Sequence, residues 1–227
     1  MIYPTVSLDS TVSGLSSGMV FTLFPPSLQE LELNFGLQQT ENEQFFREWI
    51  DINSEVSAQD KQLLVRVKVS YSHLIKYPPM LEDAVKMIVL SPLLERASLF
   101  QPPCRLETEP SIEIVSEDEG VIIKGRIDVL VLNHQFWILV IESKKAEFSL
   151  EAARAQILAY MLGSPNHQEP VFGLIANGGS FIFVKLSRES NTPQYALSRV
   201  FSLLNPGNDL YHVLGFLKRL STLVNLT

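Results

Sequence analysis

Cysteine is nearly absent from this chain. Cys104 stands alone among 227 residues, so no internal disulfide framework can form, as expected of a protein kept in a reducing compartment. Histidine is sparse too, and His73, His134, His167 and His212 fall at no ligand spacing, which argues against a zinc centre. No apolar run reaches the roughly 18–20 residues needed to span a bilayer. The N-terminus lacks a basic segment ahead of an apolar one, so no secretory leader is read there. These absences lead to the expectation of a soluble, cytoplasmic protein without a membrane partner. Positive charge is also short: 18 Lys and Arg against 25 Asp and Glu leave a formal net charge of −7. That argues against broad attraction to polyanions, so a nucleic-acid site would need a local basic groove or a bound metal.

What the chain has is apolar content, 46% of its residues, enough for one sizeable core with a small helical appendage. Residues 1–27 read as an arm of weak local structure, rich in Ser, Thr and Gly and closed by Pro25-Pro26. Phe45, Trp49, Ile52 and Val56 are spaced as a helical stripe, which predicts a helix over 41–56. Ser57 then caps a second helix carrying Leu64, Val67, Tyr71, Leu74 and Ile75, with Asp60 in its first turn. Val65, Val67 and Val69 alternate with Arg66 and Lys68 as a strand would, and the helix is the preferred reading. A third helix is predicted from Met80 to Leu99, bent near Pro92, and strands from Glu109 onward. Ser149 caps a helix over Leu150 to Leu162 that Gly163 and Pro165 stop. Asn177-Gly178-Gly179 joins two strands as a hairpin, and Leu210, Val213, Leu214, Leu217 and Leu220 mark a last amphipathic helix.

The most informative stretch lies in the middle. Val121 to Leu132 and Phe136 to Ile141 read as two strands around the polar turn Asn133-His134. Side chains alternate along strands, so Glu142 and Lys144 share a face opposite Ser143, as Arg126 and Asp128 share one on the preceding strand. Two carboxylates and an ammonium then converge at the end of an apolar sheet, where a divalent cation would offset the cost of burying them. Hard oxygen ligands of this kind favour Mg²⁺ or Mn²⁺ over zinc.

With Asp128 on the second of three strands and Glu142-Ser143-Lys144 on the third, the chain resembles the PD-(D/E)XK nuclease superfamily. Gln156 and Tyr160, four apart on the following helix, are similar to the Q-x-x-x-Y of nucleases fused to helicases. Gly173-Leu174-Ile175-Ala176-Asn177-Gly178 is similar to the G-L-x-x-N-G turn in the N-terminal nuclease domain of type I restriction enzyme motor subunits. The likeness extends to the stand-alone cyanobacterial proteins described as restriction endonuclease subunit R-like, through Phe45-Phe46-x-x-Trp49 and Leu197-Ser198-Arg199-Val200-Phe201.

The resemblance implies an α/β fold with a restriction-endonuclease-like αβββαβ core. A mixed central sheet is flanked by helices in residues 78–227, after an arm and helical extension in 1–77. It implies a Mg²⁺- or Mn²⁺-dependent DNA endonuclease of restriction, defence or repair type, with DNA as partner and a homodimer as an option. Asp128, Glu142 and the Ser143 carbonyl would hold the metal, with an added acid from the first helix. Glu82 is preferred to Glu95, which lies beyond the bend. Lys144 would orient the attacking water or offset developing charge, and Gln156 and Tyr160 would hold the phosphate or the water. Arg126 and Lys145 are candidate contacts to the nucleic-acid backbone.

The sequence departs from the family pattern where Ile127 stands in place of proline, and it contains no G-x-x-x-x-G-K-[ST] loop. No ATP-driven motor is therefore read in these residues. The alternative is a binding or scaffold protein that keeps the nuclease fold without turnover.

Overall fold

The structure, a computed structural model, describes residues 21–23, 26–50, 56–77, 82–116, 121–133, 136–143, 150–177, 179–188 and 192–224. In chain order the elements are β1 (Phe21–Leu23), α1 (Leu28–Phe35), β2 (Gln38–Gln39), α2 (Ala58–Leu74), α3 (Glu82–Val85), a π-helical turn (Lys86–Leu90) and α4 (Ser91–Arg96). There follow β3 (Cys104–Thr108), β4 (Ser111–Ser116), β5 (Val121–Arg126), β6 (Val129–Asn133), β7 (Phe136–Ser143), α5 (Leu150–Leu162), β8 (Val171–Ala176), β9 (Ser180–Ser187), β10 (Gln194–Leu197), β11 (Phe201–Ser202) and α6 (Leu210–Val224).

The fold is mixed α/β. A large sheet runs β2-β10-β9-β8-β7-β6-β3, with β11 also on β9, and a small sheet runs β1-β5-β4. Within the large sheet β7 and β8 are parallel, joined through α5, and β3, β6 and β7 are antiparallel neighbours. Alternation along the central strands feeds two cores. Val129, Val131, Leu139 and Ile141 meet residues of α2, α4, the π turn and α6 on one face. Leu130, Leu132 and Val140 meet α1, α5 and the inner side of β4 and β5 on the other. Because α5 is enclosed between the large sheet and the small one, Ala153, Ala155, Ile157, Leu158 and Met161 are buried all round it. Among the described residues no helix is long and apolar enough to cross a membrane.

Several expected elements form as read. Ser57 and Asp60 make a reciprocal capping box at the start of α2, α5 has the expected limits, and β8 and β9 pair antiparallel on either side of the Asn177 turn. The expected helix over 41–56 does not form in residues 41–50, which are turns. Asn42 Oδ1 accepts the Gln44 N–H at 2.9 Å and Thr40 Oγ1 accepts the Asn42 N–H at 3.2 Å, local bonds that compete with a helix. Phe45, Phe46 and Trp49 still pack on the first core, while Ile52 lies outside the described residues. Phe21–Leu23, within the arm expected to have weak local structure, pairs in parallel with β5.

The predicted third helix forms as an unbroken helical run from Glu82 to Arg96, in which a π turn separates α3 from α4, while Met80 lies outside the described residues. In an α-helix the Pro92 ring would meet the Ile88 carbonyl and leave it without its N–H donor. The turn widens just before it, and Ser91 N–H bonds Lys86 O. The predicted strand Val121–Leu132 is divided at Ile127-Asp128 between two sheets, and β3 begins earlier than Glu109.

The seat of α5 on the sheet depends on Gly173. A Cβ there would come within 2.8 Å of Met161 Sδ and 2.9 Å of Ile157 Cδ1. Gly173→Val should therefore lift α5 and cost about 1–3 kcal/mol, read as a lower urea midpoint with an unchanged slope. A stability equal to the native chain's would show that the contact is not tight.

Candidate active site

Asp128 owes its position to a bend shared by two strands. Only Glu109 and Pro110 separate β3 from β4, and only Ile127 and Asp128 separate β5 from β6. The antiparallel register continues through this gap: Ile127 N–H bonds Pro110 O at 3.1 Å and Glu109 N–H bonds Asp128 O at 3.2 Å. Pro110 has no N–H to return, and Glu109 adopts φ 55°, in the left-handed region. The ribbon kinks there, one half entering the small sheet and the other staying in the large one. Asp128 stands at the fork, not within a strand as the sequence pattern had it.

Its other neighbour is β7. Val129 pairs with Ile141 and Leu130 with Val140. One further step of the same antiparallel register sets Asp128 opposite Glu142, the relation in which Cβ atoms lie about 5 Å apart. Glu142, next to Ile175 on β8, is 1% exposed. By strand alternation it shares a face with Val140, on the α5 side of the sheet.

There Gln156 Nε2 donates to Tyr160 Oη at 2.7 Å, with both side chains buried. Burial pushes the Tyr160 hydroxyl up to about 12; the charges of Glu142 and Asp128 add to the rise, against hydrogen bonds from Gln156 and the Arg126 backbone. Tyr160 is thus a neutral hydroxyl at physiological pH, set among two carboxylates.

On the opposite side Lys86, the first residue of the π turn, reaches Asp128 Oδ1 at 3.3 Å, with 23% of its side chain exposed and 20% of the aspartate's. A cleft of about 420 Å³ opens beside this pair, lined by Asp83, Lys86, Glu109 and Asp128 over Leu90, Leu94, Leu106 and Val129. The structure therefore brings together Asp128, Glu142, Gln156 and Tyr160. Arg126 pairs with Glu109 at 3.2 Å, both largely exposed, and Glu95 is exposed on α4. Lys144, Lys145 and the side chains of Glu82 and Ser143 lie outside the described residues. Lys86, Asp83 and Glu109 were not singled out from the sequence. For the first two a signal existed: they sit at i and i+3 beside Glu82, on the helix already suspected of contributing an acid.

Among the described residues no group of three or more His, Cys, Asp or Glu side chains gathers as a metal shell. Asp128 and Glu142 nevertheless offer two hard-oxygen donors at facing positions. Paired carboxylate oxygens of this kind are the donor set that a small divalent cation takes. No family model matches the chain, and no curated protein matches it.

Proposed function

We propose that this chain is a Mg²⁺- or Mn²⁺-dependent DNA endonuclease with a restriction-endonuclease-like core. The observation that carries the reading is the facing register of Asp128 and Glu142 at the fork of the sheet, with Gln156 and Tyr160 packed against them. Support for the core comes from the order of a helix layer, the antiparallel β3-β6-β7 run, the crossover helix α5 and a parallel β8.

A divalent ion bound there would polarise a phosphodiester and make water a stronger nucleophile at neutral pH. Asp128 and Glu142 would hold the ion. Gln156 keeps the Tyr160 hydroxyl oriented, and that hydroxyl, un-ionised, keeps a proton to donate to a phosphate oxygen or to water. The cleft beside Asp128 admits the nucleic-acid backbone, and Lys86 meets its charge. With a net charge of −7, that approach depends on local positive charge, from Lys86 or from a bound ion.

The test is incubation of the full chain with linear, nicked and single-stranded DNA, with Mg²⁺ or Mn²⁺ and with chelator. Metal-dependent scission on any of the three is the expected result. Loss of metal dependence, or no scission on any substrate, would abandon the reading. The second reading, a silent nuclease-fold scaffold, draws on the Lys86–Asp128 pair, which already neutralises one of the two carboxylates.

Lys86 gives an independent measure. Its side chain and that of Asp128 are 23% and 20% exposed, and its charge repels a cation at the same carboxylate. Lys86→Met should tighten Mn²⁺ binding about fivefold by calorimetry, a gain of about 1 kcal/mol. An unchanged isotherm would mean that Asp128 is not a ligand.

A further inference from the structure

The outer face of α2 and the turn after it contradicts the charge of the rest of the molecule. In an acidic chain, residues 58–77 carry Lys61, Arg66, Lys68, His73 and Lys76. The single acid among them, Asp60, is 0% exposed and bound by Arg96 and Lys218. Every charge this segment shows to solvent is therefore positive. Between the cations lie Val65 and Val69, 48% and 62% exposed, one helical turn apart. β-Branched residues are poor helix formers, and among the described residues these two bury little against anything. They line a groove of about 630 Å³ with Lys68, His73, Lys76 and Tyr211, where α2 runs beside the start of α6. Lys68 Nζ is anchored there by Asn205 O at 2.9 Å and Gly207 O at 2.5 Å, which fixes the groove wall.

We infer that this groove receives an amphipathic, acidic helical segment of a partner protein, with apolar side chains seated on Val65 and Val69 and carboxylates meeting Lys68 and Lys76. The charge decides among occupants. A second copy related by a two-fold axis would set Lys68 and Lys76 against their own kind. Residues 1–20 carry only Asp9 as an acid and offer no complement. Phosphates of a nucleic acid would satisfy the cations but leave the valines facing charge. A flat bilayer surface cannot fill a groove. An acidic amphipathic helix satisfies both the floor and the rim, a recurring mode of peptide recognition. This surface is separate from the candidate active site, and the inference does not rest on nuclease activity.

The test uses fluorescence anisotropy on the full chain with a labelled Leu/Glu peptide whose leucines fall at helical i, i+3, i+4 spacing, and a scrambled peptide of the same composition. The patterned peptide should bind at least about tenfold tighter than the scrambled one, and its affinity should fall as salt is raised. Val69→Glu and Lys76→Glu, both exposed positions whose folding is checked by circular dichroism, should each weaken it about tenfold. Equal binding of the two peptides, no binding of either, or full affinity in Val69→Glu would overturn the inference. So would displacement of the peptide by duplex DNA or by phosphatidylserine vesicles that bind Val69→Glu as well as the native chain.

Discussion

Replacing Asp60 by alanine is expected to cost about 3 kcal/mol of stability, a large share of the roughly 5–15 kcal/mol that holds a domain of ordinary stability together. The carboxylate is wholly buried and does three jobs. Its Oδ2 accepts the Ser57 N–H at 3.0 Å, closing the capping box of α2. Arg96 on α4 reaches Oδ1 at 2.6 Å through Nε, and Lys218 on α6 reaches Oδ2 at 2.6 Å. Three helices of one layer therefore meet at a single acid. Alanine would leave two cations side by side without their counter-ion. Their side chains keep 34% and 28% exposure, so water repays part of the loss and the cost falls at the lower end of the range for breaking a buried pair. Asp60→Asn keeps an oxygen for the Ser57 N–H and should cost less, about 1–2 kcal/mol. Urea unfolding of the three proteins checks the order.

The pH dependence gives a second handle on the same residue. Burial alone would raise the Asp60 pKa, but hydrogen bonds from Lys218, Arg96 and Ser57 outweigh it and hold the carboxyl well below its ordinary 3.8. A depressed carboxyl contributes stability that is complete above its unfolded pKa and is lost as pH falls toward the folded value. The stability difference between the native chain and Asp60→Ala should therefore be constant above about pH 5 and shrink below about pH 4. A difference that stays flat into acid would place the stabilisation in packing instead of charge.

Local signals were legible where the cause was itself local. Gly163 and Pro165 end α5, Asn177 opens the β8–β9 turn, Ser57 and Asp60 start α2, and the five spaced aliphatics of α6 are all buried. The bend at Ile127-Asp128 was invisible because the apolar pattern runs through it without a break. Its cause sits on the other strand, in the left-handed Glu109 and the donorless Pro110. The helix read over 41–56 failed for a related reason: the stripe of Phe45 and Trp49 is real and buried surface follows it, but Thr40 and Asn42 offer the backbone nearer partners. Nothing in the sequence joins Lys86 to Asp128, 42 positions away. That pairing joins the π turn ahead of Pro92 to an aspartate at the fork of the ribbon.

Glu142→Gln is the substitution expected to change function most while changing shape least. The amide has nearly the volume of the carboxylate, so the 1% exposed site stays filled, but it carries no charge and is a poor ligand for a hard cation. On the nuclease reading, DNA scission should fall by about 10³-fold or more, equivalent to about 4 kcal/mol of barrier. Calorimetric Mn²⁺ binding should weaken in parallel. Stability should change far less than metal affinity, because the amide keeps the volume and an accepting oxygen of the carboxylate. This contrast separates a ligand from a structural residue. A carboxylate kept for packing or ion pairing would lose stability on neutralisation and leave metal affinity untouched. Asp128→Asn supplies the complement: with 20% exposure and Lys86 at 3.3 Å, removing its charge takes the counter-ion from a mostly buried ammonium, so it should cost stability and weaken metal binding as strongly as Glu142→Gln. If both variants bound Mn²⁺ like the native chain, the facing carboxylates would be a fold device and the nuclease reading would fall with them.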